Sequence, residues 1–322
     1  MQASDLEPVA VTVRNNSTES VHHGAVVCLA PDGSIAFSVG SPRAIVFPRS
    51  STKPFLATAM VAAGLRLPAN LLALVCASHD GRPEHLQAAR EILSIAGLTE
   101  AALRNTKDLP LDEDAAREVV RNGGGPNSLQ MNCSGKHAGM LATCVACGWA
   151  TDESYLSPQS ELQALITSSM PELIGEEVAN VVVDGCGAPA HSMTLAGLAR
   201  GFRNVAMAKA GSPAREVGEA MRSHPQMVGG PTRDVTLLMR GVYGLIAKDG
   251  AEGVFAAALP DGRAVALKVG DGANRARPPL MRAALLALGV DIAAVDPRAF
   301  ESSIFGHGRV VGETRVLDNL LK

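Results

Sequence analysis

Two similar hairpin patterns lie near opposite ends of the chain, and they constrain its fold more than any other feature. The first is GAVVCLAPDGSIAFSVG at residues 24–40, and the second is GVFAAALPDGRAVALKVG at residues 253–270. Each has an apolar run on both sides of a Pro-Asp-Gly turn, which is typical of two antiparallel strands. The stretch between them has helical spacing of apolar residues at 83–96, 136–147 and 191–201. We therefore predict an α+β fold, in which an antiparallel sheet built from the N- and C-terminal hairpins is covered by a largely helical middle.

The length of 322 residues and a hydrophobic content of 47% are enough for one large core. We predict a single domain over residues 1–322, with two closely packed lobes as the alternative. Residues 104–127 are charged and end in three glycines before Pro126, so they are expected to form a surface excursion or a connection.

Charge and composition exclude several classes of partner. The formal net charge is -3 and only 3% of the residues are aromatic, which argues against nucleic acid and against an anionic membrane surface. The first ten residues, MQASDLEPVA, lack the features of a secretory signal, and no apolar run is long enough to span a bilayer. We therefore expect a cytoplasmic protein whose six cysteines are reduced.

The segment PRSSTKPF at residues 48–55 is the first candidate for chemistry. Ser50 and Lys53 are three residues apart, directly before a proline that is tolerated in the first turn of a helix, so they are expected to share a face. A neutral lysine can take the proton of a serine hydroxyl and make it a nucleophile. The alternative is that these hydroxyl residues only cap the helix.

Four further stretches carry more polar side chains than a core needs, and they fall at the ends of predicted strands and helices, where functional sites collect. Each also has a structural interpretation, such as a capping hydroxyl, a buried thiol, a core histidine or a solvated lysine. The four stretches are CASHDG (76–81), QMNCSGKHAGM (130–140), VVVDGCGAP (181–189) and AKDGAEG (247–253).

Taken in order, PRSSTKP, CASHDG, MNCSGKHAGML, VDGCGAP and KDGAEGV resemble the Rhizobium-type, class 3 L-asparaginases. The fold of that family is similar to serine β-lactamases and glutaminases. The resemblance implies a single catalytic domain that hydrolyses L-asparagine to L-aspartate and ammonia.

The resemblance also implies two serine-lysine tandems in one site, Ser50 with Lys53 and Ser78 with Lys248. Lys268 is a second candidate for the partner of Ser78 and ranks below Lys248. A lysine base must be neutral, so its pKa has to fall from about 10.4 to about 7 to 8. Asp249 stands where related enzymes often have a small hydroxyl residue.

A zinc site and a substrate pocket follow from the same resemblance. Cys133, Lys136 and Cys186 are the implied zinc ligands, with water as the fourth. A lysine amine binds zinc only when it is deprotonated. Arg49, His137 and Asp184 are expected around the substrate and the metal.

Two other function classes remain open at this point. A β-lactamase or penicillin-binding-like serine hydrolase would share the Ser-x-x-Lys pattern but normally works outside the cytoplasm. A non-enzymatic zinc or redox module would use the cysteines and would leave Ser50 without a role. A homodimer is the default expectation for an enzyme of this size.

Overall fold

Strands from both ends of the chain meet in one antiparallel sheet in the computed structural model, which describes residues 1–321. The strands are β1 (Glu7–Arg14), β2 (Ser17–Leu29), β3 (Ile35–Val39), β4 (Ile45–Val46), β5 (Asn180–Val183), β6 (Pro189–Thr194), β7 (Ile246–Gly250), β8 (Val254–Ala258), β9 (Ala264–Val269), β10 (Ser303–Gly306) and β11 (Arg309–Val316). The large sheet has the order β10-β11-β1-β2-β9-β8-β7, and β3 pairs with β2 beside this path. A smaller sheet has the order β4-β6-β5.

Both predicted hairpins are present. β2 pairs with β3 through Val26↔Val39 to Leu29↔Ile35, and β8 pairs with β9 through Val254↔Lys268 to Ala258↔Ala264. The two hairpins join at β2 and β9, where Gly24 lies opposite Val269. Strands β7, β8 and β9 are buried along their whole length, although β7 carries Lys248 and Asp249 and β9 carries Lys268.

Helices fill most of the chain between the hairpins and pack against the large sheet, α7 against β2, β8 and β9, and α11 against β8, β9 and β11. They are α1 (Lys53–Ala62), α2 (Ala69–Val75), α3 (Pro83–Ile95), α4 (Glu113–Arg121), α5 (Ser134–Cys147), α6 (Glu161–Ile174), α7 (Leu195–Ala206), α8 (Pro213–Ser223), α9 (Pro225–Val228), α10 (Asp234–Gly241) and α11 (Arg277–Ala287). The predicted α+β class is confirmed.

The predicted helices at 83–96 and 136–147 are confirmed as α3 and α5, but the prediction at 191–201 is wrong in its first part. Residues up to Thr194 belong to β6, which pairs with β4 on one side and β5 on the other. Thr194 then caps α7 by accepting a hydrogen bond from the Gly197 backbone. The strand pairing is a long-range interaction, so helical spacing alone could not exclude it.

Residues 104–127 contain α4, which has no buried residue, and an isolated bridge between Asp108 and Asn127. A single cluster of buried apolar residues extends from β1 and β2 through the helices to α11. Within residues 1–321, no helix combines the length and the apolar character that a membrane crossing requires.

Close packing fixes the start of α1 against its neighbours. The Phe55 ring lies edge-on to Phe202 of α7, with 5.5 Å between ring centroids. A short 3-10 helix at Arg49–Thr52 leads into α1, and β7 passes so close to it that a Cβ at Gly250 would collide with the Pro48 carbonyl oxygen. Glycine is therefore needed at position 250, and β7 is held against the residues that precede α1.

Candidate active site

The 3-10 turn before α1 places its three hydroxyl residues differently. Ser51 is buried and donates from Oγ to the Lys248 carbonyl oxygen at 3.1 Å, while Thr52 donates to the Arg49 carbonyl oxygen at 2.9 Å. Ser50 is half-buried. Arg49 has a φ of 53°, in the left-handed region that L residues rarely adopt. The hydroxyls of Ser51 and Thr52 therefore stabilise the turn, and Ser50 is the most exposed of the three residues.

Lys53 is buried at the first position of α1, and its ammonium reaches across to two other segments. Nζ donates to the Ala77 carbonyl oxygen, to Ser78 Oγ at 3.2 Å and to Cys133 Sγ at 3.1 Å. Ala77 follows the end of α2, where carbonyl groups attract a cation. The Lys53 backbone N–H donates to the Ser50 carbonyl oxygen. Within residues 1–321, no hydrogen bond joins Lys53 Nζ to Ser50 Oγ, so the side-chain contact expected from the three-residue spacing is absent from this conformation.

Ser78 lies in a loop held by backbone hydrogen bonds from several sides. Its N–H donates to the Val228 carbonyl oxygen at 3.0 Å, and its own carbonyl accepts from Arg233 at 3.2 Å. The next residue, His79, donates from its backbone to Asn132 at 3.1 Å. The loop therefore joins the end of α2 to the segment before α5, which carries the cysteine motif.

Lys248 is fully buried in β7, and its Nζ donates to Oδ1 of Asp249 at 2.6 Å and to the Asp249 carbonyl oxygen at 2.7 Å. Burial lowers the pKa of Lys248 to about 8, against the opposing effect of the Asp249 carboxylate. The positive charges of Lys53 and Arg233 also lower it. The positive charge of Lys53 therefore favours the neutral form of Lys248.

The predicted contact of Ser78 with Lys248 is not formed in the described part of the chain, because Lys248 is engaged by its neighbour Asp249. Lys268, the second candidate, donates from Nζ to the carbonyl oxygens of Glu252 at 2.5 Å and Val269 at 2.7 Å. The lysine that contacts Ser78 is Lys53.

The predicted zinc ligands lie in one buried region. Lys136 Nζ lies 3.0 Å from Cys186 Sγ, while the Cys133 sulfur accepts from Lys53 Nζ at 3.1 Å and its thiol donates to Asn132 Oδ1 at 3.2 Å. Cys133 and Lys136 lie at the start of α5, and Cys186 lies in the loop between β5 and β6. All three side chains are buried.

The charge state of this group follows from its contacts. The neighbouring Cys133 thiol, and then the Lys136 ammonium, outweigh burial and hold the pKa of Cys186 well below its usual range. The neighbouring Cys186 sulfur, together with burial, raises the pKa of Cys133. Burial disfavours the Lys136 ammonium, but the two cysteines outweigh it and raise the pKa of Lys136.

Cys133 and Cys186 offer the sulfur ligands that zinc prefers, and Lys136 would have to lose the proton that the two cysteines stabilise before its nitrogen could bind the metal. The buried Nε2 of His137 has no hydrogen-bond partner within residues 1–321, while its Nδ1 lies 2.9 Å from the Tyr155 hydroxyl. Burial lowers the pKa of His137 to about 4, so the ring is neutral near pH 7. Residues 1–321 contain no cluster of three His, Cys, Asp or Glu side chains suited to a metal, so zinc here would need Lys136 as a ligand.

Arg49 and Asp184 pair with each other at the partly exposed side of the group. The guanidinium approaches Asp184 Oδ1 at 2.5 Å through one nitrogen and at 2.6 Å through another. Their side chains are 27% and 14% exposed, which is more than the buried lysines. An incoming molecule with a carboxylate and an ammonium group could exchange partners with this pair.

The structure thus collects most of the predicted residues into one region, and it adds Tyr155 and Arg277, which the sequence did not single out. Tyr155 orients His137, and Arg277 contacts Asp249 together with Arg233, a position where the sequence departs from the related enzymes. Asp249 itself was detectable as a charged neighbour of Lys248. Arg277 lies in a different part of the chain, in no motif, and carried no signal in the sequence.

A family model described as L-asparaginase II matches residues 10–316. No curated protein matches the chain.

Several solved structures are similar to the chain at low identity. A β-lactamase from Mycobacterium bovis is 16% identical, with 82% of this chain and 94% of that chain covered and a TM-score of 0.45. A Bacillus glutaminase is 13% identical, with 78% and 84% covered and a TM-score of 0.37. A hydrolase with promiscuous acyltransferase activity is 9% identical, with 86% and 92% covered and a TM-score of 0.40. These TM-scores lie below 0.5, so the family assignment rests on the family model.

Proposed function

We propose that this chain, which belongs to the L-asparaginase II family, hydrolyses L-asparagine to L-aspartate and ammonia through a serine that lysine activates. The observation that carries the mechanism is the contact of Lys53 Nζ with Ser78 Oγ at 3.2 Å, in a buried site that also contains Lys248. A serine and an amine at hydrogen-bond distance are the minimal parts of a serine-lysine hydrolase.

In this proposal Ser50 is the nucleophile, because it is half-buried and directly follows Arg49, which forms a partly exposed ion pair with Asp184. Ser50 Oγ bonds to the side-chain amide carbon of asparagine, and its proton passes to Lys53. Both residues lie at the beginning of one helical segment, so a change in the side-chain torsions of Lys53 brings the amine towards Ser50.

Ser78 then passes the proton from Lys53 to the departing nitrogen, which leaves as ammonia when the carbon–nitrogen bond breaks. An aspartyl ester of Ser50 remains. Water attacks this ester, releases aspartate and returns the proton to Ser50. Lys248, with a pKa of about 8, is assigned to the second step, in which one lysine must be neutral.

Arg49 and Asp184 are assigned to the two charged groups that every α-amino acid carries, the carboxylate and the ammonium. Each is already paired with a charge of the correct sign, so binding replaces one ion pair with two. His137 is assigned to the same substrate and metal region, and burial, which lowers its pKa to about 4, keeps its ring neutral.

Cys133, Lys136 and Cys186 are assigned to zinc. Zinc held by these residues would supply a positive charge next to the substrate, as a Lewis acid does. The unpartnered His137 Nε2 supports a further polar group in this space.

Ammonia release from purified, zinc-supplied protein tests the proposed function. L-asparagine, L-glutamine and a β-aspartyl dipeptide are compared at equal concentration. We expect release from asparagine, abolished in Ser50→Ala and retained in the surface control Ser168→Ala, whose hydroxyl only bonds the Leu165 carbonyl oxygen. Release from glutamine or the dipeptide alone would keep the amidohydrolase class and overturn the substrate. No release from any of the three would overturn the proposal.

A further inference from the structure

Asp249 is a buried carboxylate that three cations share. Its oxygens lie 2.6 Å from Lys248, 2.5 Å from Arg233 and 3.4 Å from Arg277. Asp249, Lys248 and Arg277 are each at most 7% exposed, so water screens these charges little.

Each arginine is also fixed by partners other than Asp249. Arg233 donates to the Ser78 carbonyl oxygen at 3.2 Å, and so connects Asp249 to the Ser78 loop. Arg277 donates to the Gly250 carbonyl oxygen at 3.2 Å and lies 3.5 Å from Asp234. Its guanidinium also lies over the Phe255 ring, 5.7 Å from the centroid. The arginines therefore keep their places whether or not Lys248 carries a charge.

This arrangement matters for a lysine that must lose its proton. In an isolated buried ion pair, deprotonation of the lysine would leave the carboxylate charged and unpaired, which is costly. Here Asp249 remains paired with Arg233 and Arg277 after the Lys248 proton has gone. The lysine also remains hydrogen-bonded, because a neutral amine can still donate to the Asp249 carbonyl oxygen.

We propose that Asp249, Arg233 and Arg277 form a positioning cluster that lets Lys248 gain and lose a proton without leaving a buried charge unpaired. In this cluster Asp249 favours the charged lysine, and Arg233 opposes it by competing for the same carboxylate. The inference deepens the proposed function, since it assigns roles to residues behind Lys248.

Other charged or titratable groups face Lys248 as well, and they set the background for the cluster. Lys53 from the start of α1 adds a positive charge that disfavours the Lys248 ammonium. Cys76 follows α2, and burial raises the pKa of its thiol to about 12, so it stays neutral. Asp80 lies 3.9 Å from Arg233, and burial raises its pKa to about 6.

Two substitutions in the cluster should shift the pKa of Lys248 in opposite directions. In Arg233→Gln the glutamine can still donate to the Ser78 carbonyl, but Asp249 loses a competing cation and should hold the lysine proton more tightly. In Asp249→Asn the lysine loses its carboxylate. We expect the Lys248 titration to move to higher pH in the first variant and to lower pH in the second, by about 1 to 3 pH units each.

The titration is followed by NMR of protein carrying ¹³C at lysine Cε, with the Lys248 signal assigned by its loss in Lys248→Met. This readout needs no substrate. Arg233→Lys restores a cation and should return the titration towards the wild-type position. The matched control, Arg215→Gln, removes a partly exposed arginine that pairs with Glu219 at 2.6 Å, and it should leave the pKa of Lys248 unchanged.

Shifts in the same direction, or no shift in Arg233→Gln, would overturn the inference. Should Asp249→Asn fail to fold, Arg233→Gln with its Arg233→Lys rescue decides alone. The pH profile of ammonia release is measured on the same samples. Opposite NMR shifts in a protein that releases no ammonia would support the cluster and refute the proposed function, whereas normal turnover without the shifts would do the reverse.

Discussion

Two buried lysines lie in the same site, and the structure satisfies them in different ways. Lys53 is surrounded by neutral acceptors, the Ala77 carbonyl, the Ser78 hydroxyl and the Cys133 thiol. Lys248 is held by a carboxylate, Asp249, that two arginines share. Both are almost completely buried.

The difference bears on what each lysine can do. Lys53 touches the hydroxyl of Ser78 directly, so it is placed to exchange a proton with a reacting group. The Lys248 amine touches no serine hydroxyl among residues 1–321, and its surroundings instead control its charge. The two tandems implied by the sequence are therefore unequal, with Lys53 at the reacting groups and Lys248 behind them.

The largest expected effect comes from removing the amine that contacts Ser78. Lys53→Met should lower kcat/KM for asparagine by about 10²- to 10⁴-fold, the usual contribution of a general base. Lys53→Arg should be nearly as impaired, because a guanidinium does not lose its proton. Steady-state ammonia release measures both, with the exposed Lys209→Met as the control. A Lys53→Met enzyme close to wild type would break the comparison.

Lys248→Met should be less severe than Lys53→Met if the comparison holds, because Lys248 acts from behind the reacting groups. We expect a loss of about 10²-fold, at the lower end of the range for acid-base residues. The same assay measures it. A loss in Lys248→Met that exceeds the loss in Lys53→Met would reverse the roles of the two lysines.

The pH dependence sharpens the comparison further. Burial lowers the pKa of Lys248 to about 8, so the neutral amine becomes the main form only above that pH. Asparagine hydrolysis should therefore rise by about tenfold per pH unit below pH 8 and level off above it. Initial rates between pH 5 and pH 10 at saturating substrate measure this. A rate maximum at pH 5 would contradict the assignment of a neutral lysine.

The smallest expected effect concerns the hydrogen bond that joins the two regions. Ser51, on the turn before Lys53, donates to the Lys248 carbonyl oxygen at 3.1 Å. Ser51→Ala should lower the free energy of unfolding by about 0.5 to 1.5 kcal/mol. Urea unfolding measures this against Ser168→Ala, whose exposed hydroxyl should matter less. Equal stability of the two variants would show that this bond does not hold the regions together.

Much of this arrangement could be predicted from the sequence. The two Pro-Asp-Gly hairpins predicted the sheet because their signal is local, with apolar runs on both sides of a turn. The prediction of a helix at 191–201 was wrong in its first part, because β6 is fixed by pairing with β4 and β5. Local spacing of apolar residues does not reveal such pairing.

The candidate site also has parts that the sequence predicted and parts that it did not. The family resemblance placed Cys133, Lys136 and Cys186 in one zinc site. In the structure Lys136 Nζ lies 3.0 Å from Cys186 Sγ, and the zinc role stays a prediction. The hydrogen-bond partners of the lysines were harder to predict. A long flexible side chain can reach several acceptors, and the tertiary structure decides which of them are near. Lys53 therefore reaches Ala77 and Ser78 instead of Ser50.

The zinc assignment can be tested by elemental analysis of protein purified without chelator. We expect close to one zinc per chain in wild type and almost none in Cys133→Ser or Cys186→Ser, since each removes a sulfur ligand. Cys147→Ser is the matched control, because its thiol lies apart from the group and donates to the Ala63 carbonyl oxygen. Wild-type protein without zinc, even after zinc is supplied, would overturn the assignment.

Intact-mass and peptide-mapping spectra of enzyme quenched during turnover test the central claim most directly. If Ser50 attacks asparagine, an aspartyl adduct should appear on the peptide that contains Ser50, and added hydroxylamine should divert it to aspartyl hydroxamate. Ser50→Ala should lose the adduct, the hydroxamate and hydrolysis together. Turnover that continues in Ser50→Ala without an adduct would contradict the account, and an adduct on the peptide containing Ser78 would show that the hydroxyl already in contact with Lys53 is the nucleophile.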